Sequence, residues 1–200
     1  MPHQPTKPRT PAHEFILGGQ KSGKSRRAEQ RAIDWLAADA RTHRAVLIAT
    51  AQAYDDEMQE RIVRHQADRA ERVPGMRTIE EPVELARAIV TQSTPETLVV
   101  VDCLTMWLTN LLMPMPSEDA RPVTRTPATH IAMLLVALRD APGPVVLVGN
   151  EIGLGVIPLG RETRAFVDSL GRLNQDVAAA CDRVTLMAAG LPLSLKAPAA

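Results

Sequence analysis

Gly18-Gly19-Gln20-Lys21-Ser22-Gly23-Lys24-Ser25 follows the short apolar run Phe15-Ile16-Leu17 and precedes a helical stretch from Lys24 to about Ala40. No other feature of the chain restricts its fold as strongly. The pattern G-x-x-x-x-G-K-[ST] needs a strand before it and a helix after it. The glycines let the backbone curl until its N–H groups converge, and the helix adds the positive end of its dipole at the same point. A lysine in this place reaches β- and γ-phosphates, and the hydroxyl of Ser25 suits Mg²⁺. The loop predicts a site for a nucleoside triphosphate.

The remaining hydrophobic pattern agrees with the architecture such a loop requires. Ala45–Thr50, Thr97–Asp102, Val145–Val148 and Arg183–Ala188 are mostly continuous apolar runs, which suit strands buried on both faces of a parallel sheet. Helical stretches separate them: Asp55 to about Arg72, Pro82–Gln92, Cys103–Leu112, His130–Arg139 and Arg161 to about Ala180. Met76–Ile79 reads as a short strand and Leu191–Leu195 as a hairpin edge. The expected fold class is α/β, a P-loop NTPase-like (RecA-like) mostly parallel sheet with helices on both faces. Residues 1–13 are rich in Pro and basic residues and read as a disordered tail, leaving 14–200 as a single nucleotide-binding domain. Pro114 to about Pro127 reads as a loop or insertion.

Composition narrows the partners. Lys+Arg and Asp+Glu both number 23, so no broad basic surface invites nucleic acid or an anionic membrane. Aromatics are 2%, which argues against base-stacking platforms. No run approaches the roughly 18 apolar residues of a membrane span, and the N-terminus lacks a signal peptide's apolar core. A cytoplasmic protein is expected. Cys103 and Cys181 read as small buried hydrophobes, with no metal-ligand spacing.

Several polar groups are candidates for chemistry. Asp102 closes an apolar strand, where a P-loop enzyme carries its second metal carboxylate, although it could instead cap the following helix. Asn150 and Glu151 follow the Val145–Val148 strand, so they face the ligand crevice of a parallel sheet. Arg161 and Arg164 share a helix face and could neutralise phosphates, or Arg164 could simply pair with Asp168. His65 lies on the charged stretch Asp55–Arg72. Composition makes it a surface residue, although an imidazole can also act as a nucleophile, and spacing does not choose. His3, His13, His43 and His130 read as surface residues.

Taken in order from about residue 15 to 196, these segments resemble the bifunctional adenosylcobinamide kinase / adenosylcobinamide-phosphate guanylyltransferase family of cobalamin biosynthesis. The matching pieces include Gly18–Ser25 with Arg26-x-Ala28-Glu29, Ile48–Gln52, Asp55-Asp56-Glu57-Met58-x-x-Arg61-Ile62-x-x-His65, Thr78–Pro82 and Asp102–Leu112. Asn150–Pro158 and Arg161-x-x-Arg164-x-Phe166-x-Asp168-x-x-Gly171-x-x-Asn174-Gln175 complete the set. The resemblance implies two reactions. ATP or GTP phosphorylates the aminopropanol hydroxyl of adenosylcobinamide, and GMP from GTP then joins that phosphate, releasing pyrophosphate. It implies that His65 carries the GMP as a covalent phosphoramidate, with Lys24 serving the phosphates. It places the P-loop, Thr50, Ala51, Gln52, Gln66, Ala67, Asp68, Arg69, Glu80 and Asp102 around the nucleotide, with Mg²⁺ at Ser25 and Asp102, and a homotrimeric assembly. Glu80 is a plausible acceptor for guanine N1–H and the 2-amino group, with Glu81 its adjacent rival. Gly149 stands where the family often has Thr, and Arg64 where a second His can occur. Two rivals stand beside this reading: a P-loop small-molecule kinase without nucleotidyl transfer, and a GTP-binding switch, which would want an N-K-x-D motif that the chain lacks.

Overall fold

The computed structural model describes residues 12–53, 56–114 and 125–197. Asp55, most of the expected tail and most of the stretch 114–127 lie outside the described residues. The described chain forms, in order, β1 (Glu14–Gly18), α1 (Lys24–Ala38), β2 (Arg44–Ala49), α2 (Asp56–Arg72), β3 (Met76–Glu80), α3 (Leu85–Gln92) and β4 (Thr97–Asp102). It continues with α4 (Leu104–Leu112), α5 (Pro127–Asp140), β5 (Val145–Asn150), α6 (Arg161–Ala180), β6 (Arg183–Ala188) and β7 (Leu191–Lys196).

The described strands form a seven-stranded sheet in the order β3-β2-β4-β5-β1-β6-β7. Every neighbouring pair is parallel except β6 and β7. This is the RecA-like P-loop arrangement expected from the alternating runs. The hairpin edge is also present: Ala189 and Gly190, both at positive φ, turn β6 into β7.

Strand residues alternate between the two faces, as the pleat requires. Phe15, Leu17, Val99, Val101, Val145 and Leu147 join one core with side chains of α3, α4, α5 and α6. Ile16, Leu98, Val100, Val146 and Val148 join the other, with Ala28 and Ala32 of α1. Helices therefore cover both faces, but unequally: four lie on one side, and α1 supplies nearly all the helical cover on the other. The small aliphatic side chains of β4 and β5 suit this two-sided burial. The largest fully buried side chain, Trp107, finds a polar partner in the carbonyl of Val83 at 2.9 Å.

Two expected surface histidines are interior. His13 is 4% exposed and His130 2%. His13 immediately precedes β1, and its Nδ1 accepts the Val145 N–H at 3.1 Å. His130 lies on the buried side of α5. A single histidine beside an apolar run carries no periodic signal, which is why composition misplaces both. His43 is half-buried and stacks on Trp35 with ring centroids 3.8 Å apart.

Candidate active site

Parallel strands bring their C-terminal ends to one edge of the sheet, and register decides which residues meet there. Ala49 lies opposite both Glu80 and Asp102, and Gly18 lies opposite Asn150. The P-loop, Thr50, Glu80, Asp102 and Asn150, dispersed along the sequence, thus converge on one rim.

The loop has the conformation its sequence demands. Gly23 sits at φ 100° immediately before α1, where an L side chain would be strained. A Cβ on Gly18 would lie 2.5 Å from the Met187 carbonyl oxygen and from Ser22 Oγ, so only glycine fits. No side chain caps α1, and its first-turn N–H groups remain available to an anion. Lys24 is buried and folds across the loop, its Nζ donating to the Gly19 carbonyl at 2.6 Å. Burial pushes its ammonium below the ordinary value, opposed by Cys103 and Asp102. The Ser22 hydroxyl is buried with no hydrogen-bond partner among the described residues. Gln20 and Lys21 are exposed, and Gly19 is exposed at the loop's tip.

Asp102 does not cap α4; that position belongs to Cys103, which makes no side-chain cap bond. Its carboxylate instead stands 3.9 Å from Arg69 of α2. Burial pushes the adjacent Cys103 thiol up to about 11, with Asp102 adding to the effect, so this cysteine is not a thiolate nucleophile.

Thr50 has a bracing task. Fully buried, its hydroxyl donates to the Cys103 carbonyl at 2.7 Å and accepts the Cys103 N–H at 2.9 Å. Asn110, inside the mostly apolar α4, donates to the carbonyls of Thr50 (2.8 Å) and Pro82 (3.0 Å). These bonds pin the ends of β2 and β3 to the β4–α4 junction beside Asp102. Ala51 and Gln52 follow, half-buried.

His65 is exposed on α2. Residues 65, 69 and 72 fall on one face of a helix. Arg69 and Arg72 on that face approach the buried carboxylate of Glu29 on α1 at 3.9 and 3.2 Å. Burial pushes the Glu29 carboxyl upward, while Arg72 and Arg69 pull it down. The face of α2 that bears His65 is therefore the one turned toward the P-loop helix and Asp102. Arg69 Nε is buried without a hydrogen-bond partner among the described residues. Gln66 donates to Glu80 at 3.0 Å, while Ala67 and Asp68 are exposed. The two adjacent glutamates divide sharply. Glu81 is buried and accepts the N–H groups of Val83 and Glu84 at the entry to α3; Glu80 is exposed at the rim.

On the other side of the P-loop, the Asn150 N–H donates to Thr105 at 2.9 Å, and the Glu151 N–H donates to the Gly18 carbonyl at 3.1 Å. Asn174 holds the Asn150 carbonyl at 3.1 Å. Glu151 accepts the Gly153 N–H at 2.6 Å, shaping its own loop. Arg164 does not pair with Asp168: it donates to the carbonyls of Pro158 (3.0 Å) and Leu159 and so braces that loop. Arg161 is exposed at the start of α6.

Reading residues in isolation missed Glu29, Arg72, Thr105 and Asn110. Signals for two of them were present: a carboxylate beside Ala28 and Ala32 on the packed side of α1, and an amide within Leu104–Leu112.

A family model described as cobinamide kinase / cobinamide phosphate guanyltransferase matches residues 14–195. The bifunctional adenosylcobalamin biosynthesis protein CobP of Pseudomonas aeruginosa is 45% identical over 183 residues, which span 92% of this chain and 96% of that protein. The CobU protein of Escherichia coli K12, described in the same words, is 36% identical over 188 residues, spanning 91% of this chain and 98% of that protein. Among solved structures, the flagellar accessory protein FlaH of Methanocaldococcus jannaschii superposes with a TM-score of 0.51 at 10% identity, covering 94% of this chain and 79% of FlaH. That likeness concerns the fold alone.

Proposed function

The chain belongs to the cobinamide kinase / cobinamide phosphate guanyltransferase family, and we propose that residues 14–200 act as one domain performing both reactions, with His65 as the guanylyl carrier. The observation that carries this reading is the orientation of α2: the helix face that bears His65 is the one Arg69 and Arg72 turn toward Glu29 and Asp102.

In the first reaction, the hydroxyl oxygen of adenosylcobinamide attacks the γ-phosphorus of ATP or GTP, giving adenosylcobinamide phosphate and the nucleoside diphosphate. The α1 N-terminus, the loop amides and Lys24 hold the phosphates and offset the charge that develops there. In the second, the unprotonated ring nitrogen of His65 attacks the α-phosphorus of GTP. A P–N bond forms, the bond to the bridging oxygen breaks, and pyrophosphate leaves. The cobinamide phosphate oxygen then attacks the same phosphorus and displaces His65, giving adenosyl-GDP-cobinamide. The Ser22 hydroxyl in the loop and Arg69 Nε between Glu29 and Asp102 support phosphate recognition, since each holds a buried donor unused among the described residues. Glu80, exposed at the rim, is the guanine acceptor in this reading; the bonds already made by Glu81 leave it the structural partner. Arg161, exposed at the start of α6, is the cation for the cobinamide phosphate in this reading, and Asn150 and Glu151 shape that side.

The Ser25 hydroxyl and the Asp102 carboxylate are hard oxygen donors on the two sides of the cradle, a set that suits Mg²⁺. When bound, the ion would neutralise phosphate charge.

We propose a homotrimer in the cytoplasm, acting on nucleotides and cobinamides and not on nucleic acid. Leu154, Val156, Ile157 and Leu159 are exposed by 76% or more, and such a patch supports a subunit contact. No described helix is long and apolar enough to cross a membrane.

The test is incubation with α-labelled GTP and Mg²⁺. Acid-labile, base-stable label on the protein is expected, and none on His65→Ala. Label retained by that variant would sink the histidine assignment; absence of label from the wild type would favour a kinase without nucleotidyl transfer.

A further inference from the structure

The helix that bears His65 is joined to the body in an unusual manner. Among the described side chains of α2, Arg69 is the only buried one; the others are exposed or half-exposed. The helix buries no apolar residue of its own, so the hydrophobic effect contributes little to holding it. Beside the Gln66–Glu80 hydrogen bond, its described anchorage to α1 and β4 is ionic. Arg72 meets Glu29 at 3.2 Å, and Arg69 lies 3.9 Å from both Glu29 and Asp102. Glu29 is 6% exposed on α1. A buried carboxylate of this kind strongly favours keeping its cations. Its helix begins at Lys24, so the body that grips α2 also holds the phosphate loop. At a rise of about 1.5 Å per residue, His65 lies roughly 6 Å along the axis from Arg69 and roughly 10 Å from Arg72.

We propose that Glu29 is a positioning residue for guanylyl transfer: through Arg72 and Arg69 it fixes the helix that presents His65 relative to the triphosphate. The inference rests on His65 being the nucleophile. Nucleophilic attack tolerates little displacement, and an error near 1 Å in reactant placement can cost about a hundredfold in rate. The kinase step uses the P-loop and the acceptor hydroxyl, not His65, so loss of the anchor should separate the two activities. A purely structural Glu29 would lower both together.

The test uses Glu29→Gln, which keeps the shape and removes the charge, Glu29→Asp, and Arg72→Gln. The last changes a half-exposed side chain and leaves Arg69 beside Glu29. Single-turnover labelling by α-labelled GTP should slow by about ten- to a hundredfold in Glu29→Gln and Arg72→Gln, less in Glu29→Asp. Phosphorylation of cobinamide at saturating ATP should stay within about threefold, because the P-loop and Lys24 are untouched; labelling is read at saturating GTP, so that weaker GTP binding through a displaced Arg69 does not enter the rate. Unchanged labelling overturns the proposal, as does a parallel fall of labelling and phosphorylation. A wild type that takes up no label overturns the histidine reading instead. The anchorage then has its own readout in hydrogen–deuterium exchange of residues 56–72: faster in Glu29→Gln if the carboxylate holds the helix, and unchanged if it does not.

Discussion

Arg69 on α2 and Asp102 at the end of β4 stand 3.9 Å apart, near enough to attract and too far to hydrogen-bond. The arginine is thus held between two carboxylates while its Nε donor stays unused. Truncating it should injure folding and binding together. Arg69→Met should lower stability by about 3 kcal/mol, as expected when one member of a buried ion cluster is removed. It should also weaken GTP binding by roughly ten- to a hundredfold, the range for a hydrogen bond to a charged group. Urea unfolding and equilibrium dialysis measure the two effects separately.

Glu80 and Gln66 join β3 to α2 by a bond of 3.0 Å at the rim of the site. If Glu80 reads guanine, Glu80→Ala should reduce kcat/KM for GTP by about ten- to a hundredfold, with little change in phosphorylation from ATP. The preference for GTP over ITP, which lacks the 2-amino group, should shrink as well. Unaltered discrimination would remove Glu80 from base recognition.

Gly149 lies under Phe15: a Cβ there would stand 2.9 Å from the ring. Gly149→Ala alone should destabilise by about 1–3 kcal/mol through overpacking. Phe15→Leu in the same chain should recover much of that loss. A double-mutant cycle on thermal unfolding tests the coupling. The glycine is thus explained by its neighbour.

Burial holds the His13 imidazole below its ordinary value, against the pull of Asp182. The unfolded chain takes up its proton as pH falls through about 6.5, while the folded chain resists until lower pH. More protons are then bound by the unfolded state, so stability rises with pH across that window. The contribution is complete above about pH 6.5 and is lost on acidification. His13→Asn, whose side-chain oxygen can stand in for Nδ1 toward the Val145 N–H, should flatten the slope of the urea midpoint between about pH 5 and 7.

The strand order was not written in any local segment, but the strands themselves were: runs such as Leu98–Val101 are apolar on both faces, and only a doubly covered sheet satisfies them. Gly18–Ser25 was legible because backbone curl and phosphate charge permit few alternatives. His65 was not, since an exposed imidazole on a polar helix looks the same whether or not it reacts. Only the fold shows which face of α2 turns toward α1, and Glu29, which Arg69 and Arg72 meet there, lies some 36 positions earlier in the chain. Arg164 shows the opposite limit: Asp168 at i+4 invited a salt bridge, yet the carbonyls of Pro158 and Leu159 hold the guanidinium instead.

The uneven cover of the sheet bears on how such a chain can evolve. Four helices and the strands share one continuous core, so substitutions there are constrained by packing. Helix α2 lies outside that constraint, fastened by a few charges. Packing sets little limit on its exposed residues apart from the proposed site, while it limits the sheet and the P-loop closely. The arm proposed to carry the guanylyl group is replaceable in a way that the platform beneath it is not.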